Sequence, residues 1–365
     1  MSDTMRDFFA REAERSTTKR SAGHGPDSRR RRKRRVRRAL IASAICVVLL
    51  IGAVAGAGYL VINHLVGGIH RISGITALTA ANQPVMPTAT SQSMTVLLTS
   101  SNNFAAGAGR GVPGSAQPGQ LRSGLIALVH LNANSKGGSV VSIPPTAVVA
   151  VPGHGRLELY QAMRLGGPSL LIRTVEQLTN VRIDHYSVVN FGGVSHLIDA
   201  LGGVNVVLPR SVTSYGISFP AGVNHLTGVN SLAYVRQPQV SSIGRVELQQ
   251  NLVRAMLGRM AQIHTTSNLG TDVAVLSSLD HALSVDSSFS NSALESLVLR
   301  LRDLHGSDAV FVTTPTTNGS PTSGGLAPVQ LNTQLSDQLW QAIRTDSVAA
   351  FANQHPDLVT PIAPY

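Results

Sequence analysis

The 365-residue chain is 43% hydrophobic and has a single cysteine, Cys46, which excludes an intrachain disulfide and a cysteine-based metal site. Its formal net charge of +11 is concentrated in residues 1–38, which carry 14 Lys/Arg and 5 Asp/Glu (net +9) and leave +2 for residues 39–365. This distribution excludes a broad basic surface for nucleic acids on the remainder of the chain.

The first 62 residues have the pattern of a membrane anchor. Residues 1–38 lack an aliphatic pattern, which predicts a disordered cytoplasmic tail. Residues 39–62 form an uncharged apolar run, long enough as a helix to cross a hydrocarbon core of roughly 30 Å. The Arg/Lys block before this run predicts a single-pass protein of the cell membrane, with a cytoplasmic N-terminus and an extracytoplasmic C-terminal part. Cleavage near Ala53 to Gly58, as in a signal peptide, is the alternative.

After the anchor, residues 63–93 are rich in Gly, Thr, Pro and Ala without an apolar period, which predicts an extracytoplasmic linker. Regular β-type patterns begin at Met94 to Leu98. Two more β-type runs, residues 125–131 and 139–143, are separated by a turn-like segment and predict a hairpin. The Gly- and Pro-rich stretch 103–121, which separates the first run from this hairpin, predicts a long loop.

Helical and strand patterns alternate in the second half of the chain, and Pro168 is placed to open the first helix. This alternation predicts a layered α/β domain over residues 94–345, followed by a loosely held tail at 346–365. The predicted helices are 168–178, 194–201, 241–263, 273–285, 290–304 and 336–343, and the predicted strands are 185–190, 204–208 and 309–313.

The common enzyme motifs are missing from the sequence. It contains no dinucleotide-binding glycine pattern, Walker loop, nucleophile elbow or His-Glu-x-x-His helix, and no histidine pair with ligand spacing, so we predict no protein metal site. Arginine remains as a candidate for binding phosphate oxygens, because its guanidinium forms bidentate hydrogen bonds. The residues concerned are Arg122, Arg236, Arg245 and Gln249, the last one helical turn after Arg245. Judged from the residues alone, ordinary solvated arginines are the favoured explanation.

Seven sequence segments between Thr95 and Ile343 occur in the order found in a known family. They are residues 166–179, 183–186, 199–204, 220–222, 225–228, 232–236 and 244–250. In these segments the chain resembles the LytR-CpsA-Psr family of cell-envelope proteins. The bias to Arg over Lys, with much Ala, Gly and Val, favours an actinobacterial-like, high-GC source.

The resemblance implies a fold and a chemistry. The fold is a three-layer α/β/α sandwich with a central mixed sheet and a deep apolar pocket for a polyprenyl chain. Family members typically move a glycopolymer from polyprenyl pyrophosphate to a cell-wall hydroxyl, using Mg²⁺, arginines and carboxylates. By this resemblance, the pyrophosphate-binding residues are Arg122, Arg236, Arg245 and Gln249.

The chain departs from the family pattern where the family has acidic residues. These four positions are Ser101, Gly124, Thr146 and Ser242. Since Mg²⁺ is normally held through carboxylates and substrate phosphates, the loss predicts a weakened metal site and no catalytic residue at these positions. Glu158 stands where the family tends to have a basic residue, which makes it a candidate substitute carboxylate.

We therefore expect a protein of cell-wall assembly that binds polyprenyl-(pyro)phosphate-linked glycopolymer and has weak or no transferase activity. The expected partners are the lipid, a glycopolymer or peptidoglycan, and the membrane, but not nucleic acid. No resident cofactor is predicted. One alternative is an active, Mg²⁺-dependent phosphotransferase that joins glycopolymer to peptidoglycan. A distant alternative is a transcriptional regulator acting through the basic tail.

Overall fold

A computed structural model describes residues 68–79, 81, 83–90, 92–101, 124–133, 137–237, 240–266, 274–275, 277–278, 282–294, 309–317 and 327–359. The predicted tail 1–38, the predicted spanning helix 39–62, the loop 103–121 and Arg122 lie outside these ranges. Within them, no helix is both long enough and apolar enough to cross a membrane.

The strands build one large mixed sheet and three small antiparallel pairs. In chain order the described strands are β1 (His70–Ile72), β2 (Met94–Ser101), β3 (Ile126–Leu131), β4 (Gly138–Ser142), β5 (Val148–Val151), β6 (Gly155–Glu158), β7 (His185–Asn190), β8 (Val204–Leu208), β9 (Val212–Ser214), β10 (Ile217–Phe219), β11 (Gly222–Leu226), β12 (Leu283–Asp286) and β13 (Ala309–Thr313). The large sheet has the order β1-β12-β7-β2-β3-β4-β13, and the small pairs are β5–β6, β8–β11 and β9–β10. The predicted hairpin is confirmed as the antiparallel pair β3–β4.

Sequence signals explain where the helices begin and break. The described α-helices are α1 (Tyr160–Thr179), α2 (Phe191–Ala200), α3 (Gly228–Val235), α4 (Ser242–Thr266), α5 (Thr333–Arg344) and α6 (Val348–Gln354). Gly167, with φ of 61°, interrupts α1, so Pro168 opens its second segment as predicted. The Asn190 side chain accepts a hydrogen bond from the Gly192 N–H at 2.9 Å and caps the start of α2.

Strand direction defines two edges of the large sheet. β2, β4, β7 and β13 all run the same way, because β7 is parallel to β2, β13 is parallel to β4, and β3 is antiparallel to both β2 and β4. We call the edge where these four strands end the carboxyl-end edge, and the edge where they begin the amino-end edge. β3 and β12 run in the opposite direction.

Apolar residues are buried on both faces of the sheet, because successive side chains of a strand point to opposite sides. Leu97 joins a core with residues of α1 and α5, whereas its neighbour Val96 joins a second cluster with Val285 and Phe289. A third cluster consists of residues from α2, α3, α4 and β8. Each fully buried large apolar side chain contributes about 1.5–3 kcal/mol to folding. The mixed α/β class with a central mixed sheet is therefore confirmed.

Three segments differ from the sequence prediction. The end of the predicted helix 273–285 belongs instead to strand Leu283–Asp286. A run of four residues is too short for its hydrophobic pattern to distinguish a strand from a helix. The predicted linker contains His70–Ile72, which pairs with β12. The predicted loose tail contains α6, whose Phe351 is buried in the main core. Tertiary contacts that no local pattern encodes order the last two segments.

Candidate functional site

Two predicted arginines lie on either side of the short connection between α3 and α4. Arg236 is the first residue after α3, and Arg245 lies in the first turn of α4. The Arg245 guanidinium donates a hydrogen bond from Nη2 to the Gln237 carbonyl at 3.3 Å. The Arg245 backbone N–H donates to the Ser241 carbonyl at 2.9 Å. The first bond ties the start of α4 to the residue that follows Arg236, and the charges of the two arginines are close enough to interact.

Both arginines of this pair are partly buried, and burial lowers the pKa of each. Burial lowers the pKa of Arg236, the positive charge of Arg245 lowers it further, and the phenol of Tyr215 acts in the opposite direction. Burial also lowers the pKa of Arg245. Both guanidinium groups stay protonated at neutral pH. Since no carboxylate of the described residues lies within ion-pair distance of Arg245, an anionic ligand is electrostatically favoured there.

Buried polar atoms around Arg245 lack hydrogen-bond partners in the described part of the chain. They are Nε of Arg245, Oε1 of Gln249 and Nε2 of Gln237. The two glutamines are 4% and 2% exposed. Leaving such a group unsatisfied costs about 1–3 kcal/mol, so a polar ligand that reaches these atoms gains binding energy. The surroundings of Arg245 therefore have the chemistry of a binding site.

Helix α4 brings this group to the carboxyl-end edge of the sheet. The Gln250 amide donates from Nε2 to Ser142 Oγ at 2.8 Å and to the Val312 carbonyl at 3.1 Å. One turn later, the Arg254 guanidinium lies 4.5 Å from the ring centre of Phe311. The first turns of α4, including Arg245 and Gln249, thus lie beside the ends of β4 and β13.

The positions that lack the family's acids lie at the same edge. Ser101 is the last residue of β2 and pairs with Asn190, the last residue of β7. Gly124 is buried just before β3, and Thr146 is buried shortly after β4. Ser242 is the first residue of α4, one turn before Arg245. The topology brings together the positions singled out from the sequence, and their binding roles stay predictions.

Glu158 lies close to one of these positions. It ends β6 and stands opposite Val148 in the β5–β6 hairpin, two residues from Thr146. The Tyr160 N–H donates to the Pro145 carbonyl at 2.9 Å, which fixes this end of the hairpin after β4. The structure therefore places one half-buried carboxylate beside the Thr146 position.

The described residues do not fit a protein-held Mg²⁺. No group of three or more His, Cys, Asp or Glu among them is arranged to hold a metal ion. In the sequence, the family's acidic positions are occupied by Ser101, Gly124, Thr146 and Ser242, none of which has a carboxylate. Mg²⁺ is usually held through one or two carboxylates together with substrate phosphates, and the carboxylate placed beside one of these positions is that of Glu158.

Sequence reasoning missed Gln237 and Tyr215. Gln237 directly follows Arg236 in the chain, but a single glutamine carries no signal of burial. Tyr215 stands before Gly216 between two short β-type runs, and an X-Gly pair there is the usual signal of a tight hairpin turn. That signal predicts the turn but not its position near the arginines.

A family model named LytR_cpsA_psr matches residues 76–345, which is well over half of the chain. The chain belongs to the LytR-CpsA-Psr family. The expected family resemblance is thereby confirmed. Among solved structures, the LytR-Csp2A-Psr enzyme from Actinomyces oris superposes with a TM-score of 0.57, at 17% identity, over 75% of this chain and 95% of that one. At this identity the likeness shows the fold alone.

Two curated relatives of this LytR-CpsA-Psr chain have names that refer to the cell wall. The probable cell wall biosynthesis protein LcpB of Corynebacterium glutamicum is 32% identical over 151 residues, 40% of this chain and 36% of the relative. The polyisoprenyl-teichoic acid–peptidoglycan teichoic acid transferase TagU of Enterococcus faecalis is 27% identical over 191 residues, 51% of this chain and 61% of the relative. The chain spans about half the length of the curated relatives it matches.

Proposed function

We propose that this chain is an extracytoplasmic protein of cell-wall assembly that binds polyprenyl-pyrophosphate-linked glycopolymer and has little or no transferase activity. A single transmembrane helix at residues 39–62 anchors it, and the domain has the three-layer α/β/α arrangement of its family. The names of LcpB and TagU support a role in cell-wall assembly and a lipid-linked glycopolymer as ligand.

The observation that carries the proposal is the half-buried arginine pair, Arg236 and Arg245. A pyrophosphate brings negative charge and many acceptor oxygens to two guanidinium groups that burial leaves poorly solvated. Its oxygens accept hydrogen bonds from Arg245 Nε and from the Gln237 amide, both of which lack partners in the described structure. Binding thus satisfies the donors that folding leaves unsatisfied.

The weak transferase activity follows from the chemistry of transfer. An acceptor hydroxyl attacks the phosphorus next to the sugar, the P–O–P bond breaks, and polyprenyl phosphate leaves. The attacking hydroxyl must give up its proton to a base. Ser101, Gly124, Thr146 and Ser242 supply no carboxylate for this step.

A second candidate function is an active phosphotransferase with a rearranged site. The observation that favours it is the position of Glu158 beside Thr146 at the carboxyl-end edge. In this case the Glu158 carboxylate takes the proton of the attacking hydroxyl. The substitution Glu158→Gln would then abolish turnover without weakening lipid binding.

Binding by the full chain in detergent micelles tests the first proposal. The probe is fluorescently labelled polyprenyl pyrophosphate carrying a sugar, and the variant is Arg245→Ala. Charge-assisted hydrogen bonds are worth about 1.5–3 kcal/mol, so Kd should rise tenfold to a hundredfold. Arg173→Ala is the matched control, because Arg173 is exposed on the half of α1 that leads to the amino-end edge. Equal Kd values for the wild type and both variants would overturn the proposal.

A further inference from the structure

An exposed tyrosine stands at the tip of the β9–β10 hairpin. Tyr215 is 70% exposed and has a φ of 50°, and Gly216 follows with a φ of 79°. The other described non-glycine residues with positive φ are Asn180 and Asp346, types that tolerate this region. An aromatic residue there is strained, and such strain often accompanies a functional role.

The hairpin holds Tyr215 beside the arginine pair. The Ser214 hydroxyl, next to Tyr215, donates a hydrogen bond to the Ala233 carbonyl in the last turn of α3 at 2.7 Å. Phe219, at the other end of the hairpin, packs edge to face against Tyr234, with ring centres 6.2 Å apart. Because Arg236 follows α3 directly, the hairpin tip lies at the rim of the arginine site. The phenol is close enough to influence both guanidinium groups.

We propose that Tyr215 is a sugar-binding platform, on whose ring the first sugar attached to the pyrophosphate stacks. The inference rests on the proposed function, since the arginine pair must hold the pyrophosphate. The sugar is the next group along the ligand in one direction, and the polyprenyl chain lies in the other. Tyrosine offers a rigid ring face at small entropic cost, which suits stacking against the apolar face of a pyranose.

The surroundings of Tyr215 favour a sugar over the polyprenyl chain. The flanking Thr213 and Ser218 are polar and exposed, so the hairpin tip forms no apolar groove. A lipid chain gains binding energy from enclosed apolar surface, which this tip does not provide. A sugar gains from one aromatic face with hydroxyl groups nearby.

Two lipids and two tyrosine variants test the proposal in the full chain. The lipids are polyprenyl pyrophosphate with a single N-acetylhexosamine and the same lipid without sugar. Tyr215→Asn removes the ring but suits the left-handed backbone, and Tyr215→Phe keeps the ring. Val229→Ala is the matched control, because Val229 is 79% exposed on α3.

We expect Tyr215→Asn to weaken binding of the sugar-bearing lipid about threefold to tenfold, the range of an aromatic contact, and to leave the sugar-free lipid unchanged. Tyr215→Phe and Val229→Ala should bind both lipids as the wild type does. The melting temperature of Tyr215→Asn should not fall, since asparagine relieves the strain.

Three outcomes would overturn the proposal. An equal loss of affinity for both lipids in Tyr215→Asn would show that Tyr215 acts on the lipid or on the arginines and not on the sugar. A loss of affinity in Tyr215→Phe would show that the hydroxyl, and not the ring, makes the contact. Unchanged binding of both lipids by Tyr215→Asn would show that Tyr215 does not bind the sugar, and the proposed arginine site would be unaffected. Failure of the wild type to bind either lipid would instead overturn the proposed function together with this inference.

Discussion

The two edges of the central sheet differ in the charged side chains that they carry. At the amino-end edge, the fully buried His130 contacts Thr95 Oγ1 through Nδ1 at 2.9 Å and Asp346 Oδ1 through Nε2 at 2.7 Å. His185 contacts Asp286 at 3.1 Å and stacks on the Phe289 ring, with centres 3.8 Å apart. Here each of these carboxylates has its partner.

At the carboxyl-end edge, the charged side chains of the candidate site are cations. The cations Arg236 and Arg245 remain, and no carboxylate of the described ranges pairs with Arg245. The carboxylates of Asp286 and Asp346 thus have partners within the fold at the amino-end edge, whereas the arginines at the carboxyl-end edge are candidates for binding a ligand. Substitutions at the amino-end edge should change stability, whereas those at the carboxyl-end edge should change ligand binding.

The largest stability effect is expected for Asp346→Gly. The carboxylate accepts a hydrogen bond from the Ala133 N–H at 2.7 Å and pairs with His130, so its loss removes the partner of the buried His130 Nε2 and of the partly buried Ala133 N–H. Because glycine adopts the φ of 54° freely, the loss of stability is due to the missing carboxylate and not to the backbone. The free energy of unfolding in urea should fall by about 2–4 kcal/mol. Asn180→Gly, at another left-handed position, should change it by no more than about 0.5 kcal/mol.

Arg245→Ala should show the opposite profile. Because Arg245 is a half-buried cation near Arg236, its removal should leave the free energy of unfolding within about 0.5 kcal/mol of the wild type. The rise in melting temperature on adding the sugar-bearing lipid should be lost. Arg173→Ala should keep that rise. A large destabilisation by Arg245→Ala would show that the arginine holds the fold rather than a ligand.

Asp286→Asn should change how the free energy of unfolding depends on pH in the acidic range. Burial raises the pKa of Asp286, but hydrogen bonds from His185, Ser288 and the Tyr186 N–H outweigh it and hold the pKa below its ordinary value. The stability that Asp286 contributes is present above its unfolded pKa and is lost as pH falls through the folded value. Asp286→Asn should therefore be less stable than the wild type at about pH 7, and the difference should shrink below about pH 4. The midpoints of urea unfolding of both proteins across this pH range measure the difference in stability.

Glu176→Gln should give the smallest effect, with the opposite sign. Burial raises the pKa of Glu176, although hydrogen bonds from the Ile183 N–H and the Gln83 amide partly offset this. Its contribution is present below the unfolded pKa and is lost as pH rises through the folded value. Glu176→Gln keeps the accepting oxygen and should be at least as stable as the wild type at about pH 7. A loss of stability at neutral pH would show that the charged form is the favoured one.

Local pattern was sufficient for much of the fold. The runs at residues 94–98 and 204–208, the β3–β4 hairpin and the start of the second α1 segment at Pro168 follow from hydrophobic period and turn residues. Local pattern fails for β1 and α6, because a three-residue edge strand and a short docked helix are ordered by distant partners.

The candidate site could be predicted only in part. Spacing on a helix relates Arg245 to Gln249, but the nearness of Arg236 depends on tertiary contacts such as the hydrogen bond from Arg245 to the Gln237 carbonyl. The family resemblance supplied that link. Tyr215 was not predicted, because its nearness to the arginines depends on how the β9–β10 hairpin packs on α3.

The central claim is that this LytR-CpsA-Psr chain holds the lipid-linked glycopolymer without transferring it. The most direct test incubates the full chain in detergent with labelled polyprenyl pyrophosphate glycopolymer and peptidoglycan, with and without Mg²⁺. It follows retained lipid and released polyprenyl phosphate together. Retention of lipid without release in either condition is the predicted result. Mg²⁺-dependent release that disappears in both Arg245→Ala and Glu158→Gln would contradict it and establish an active enzyme.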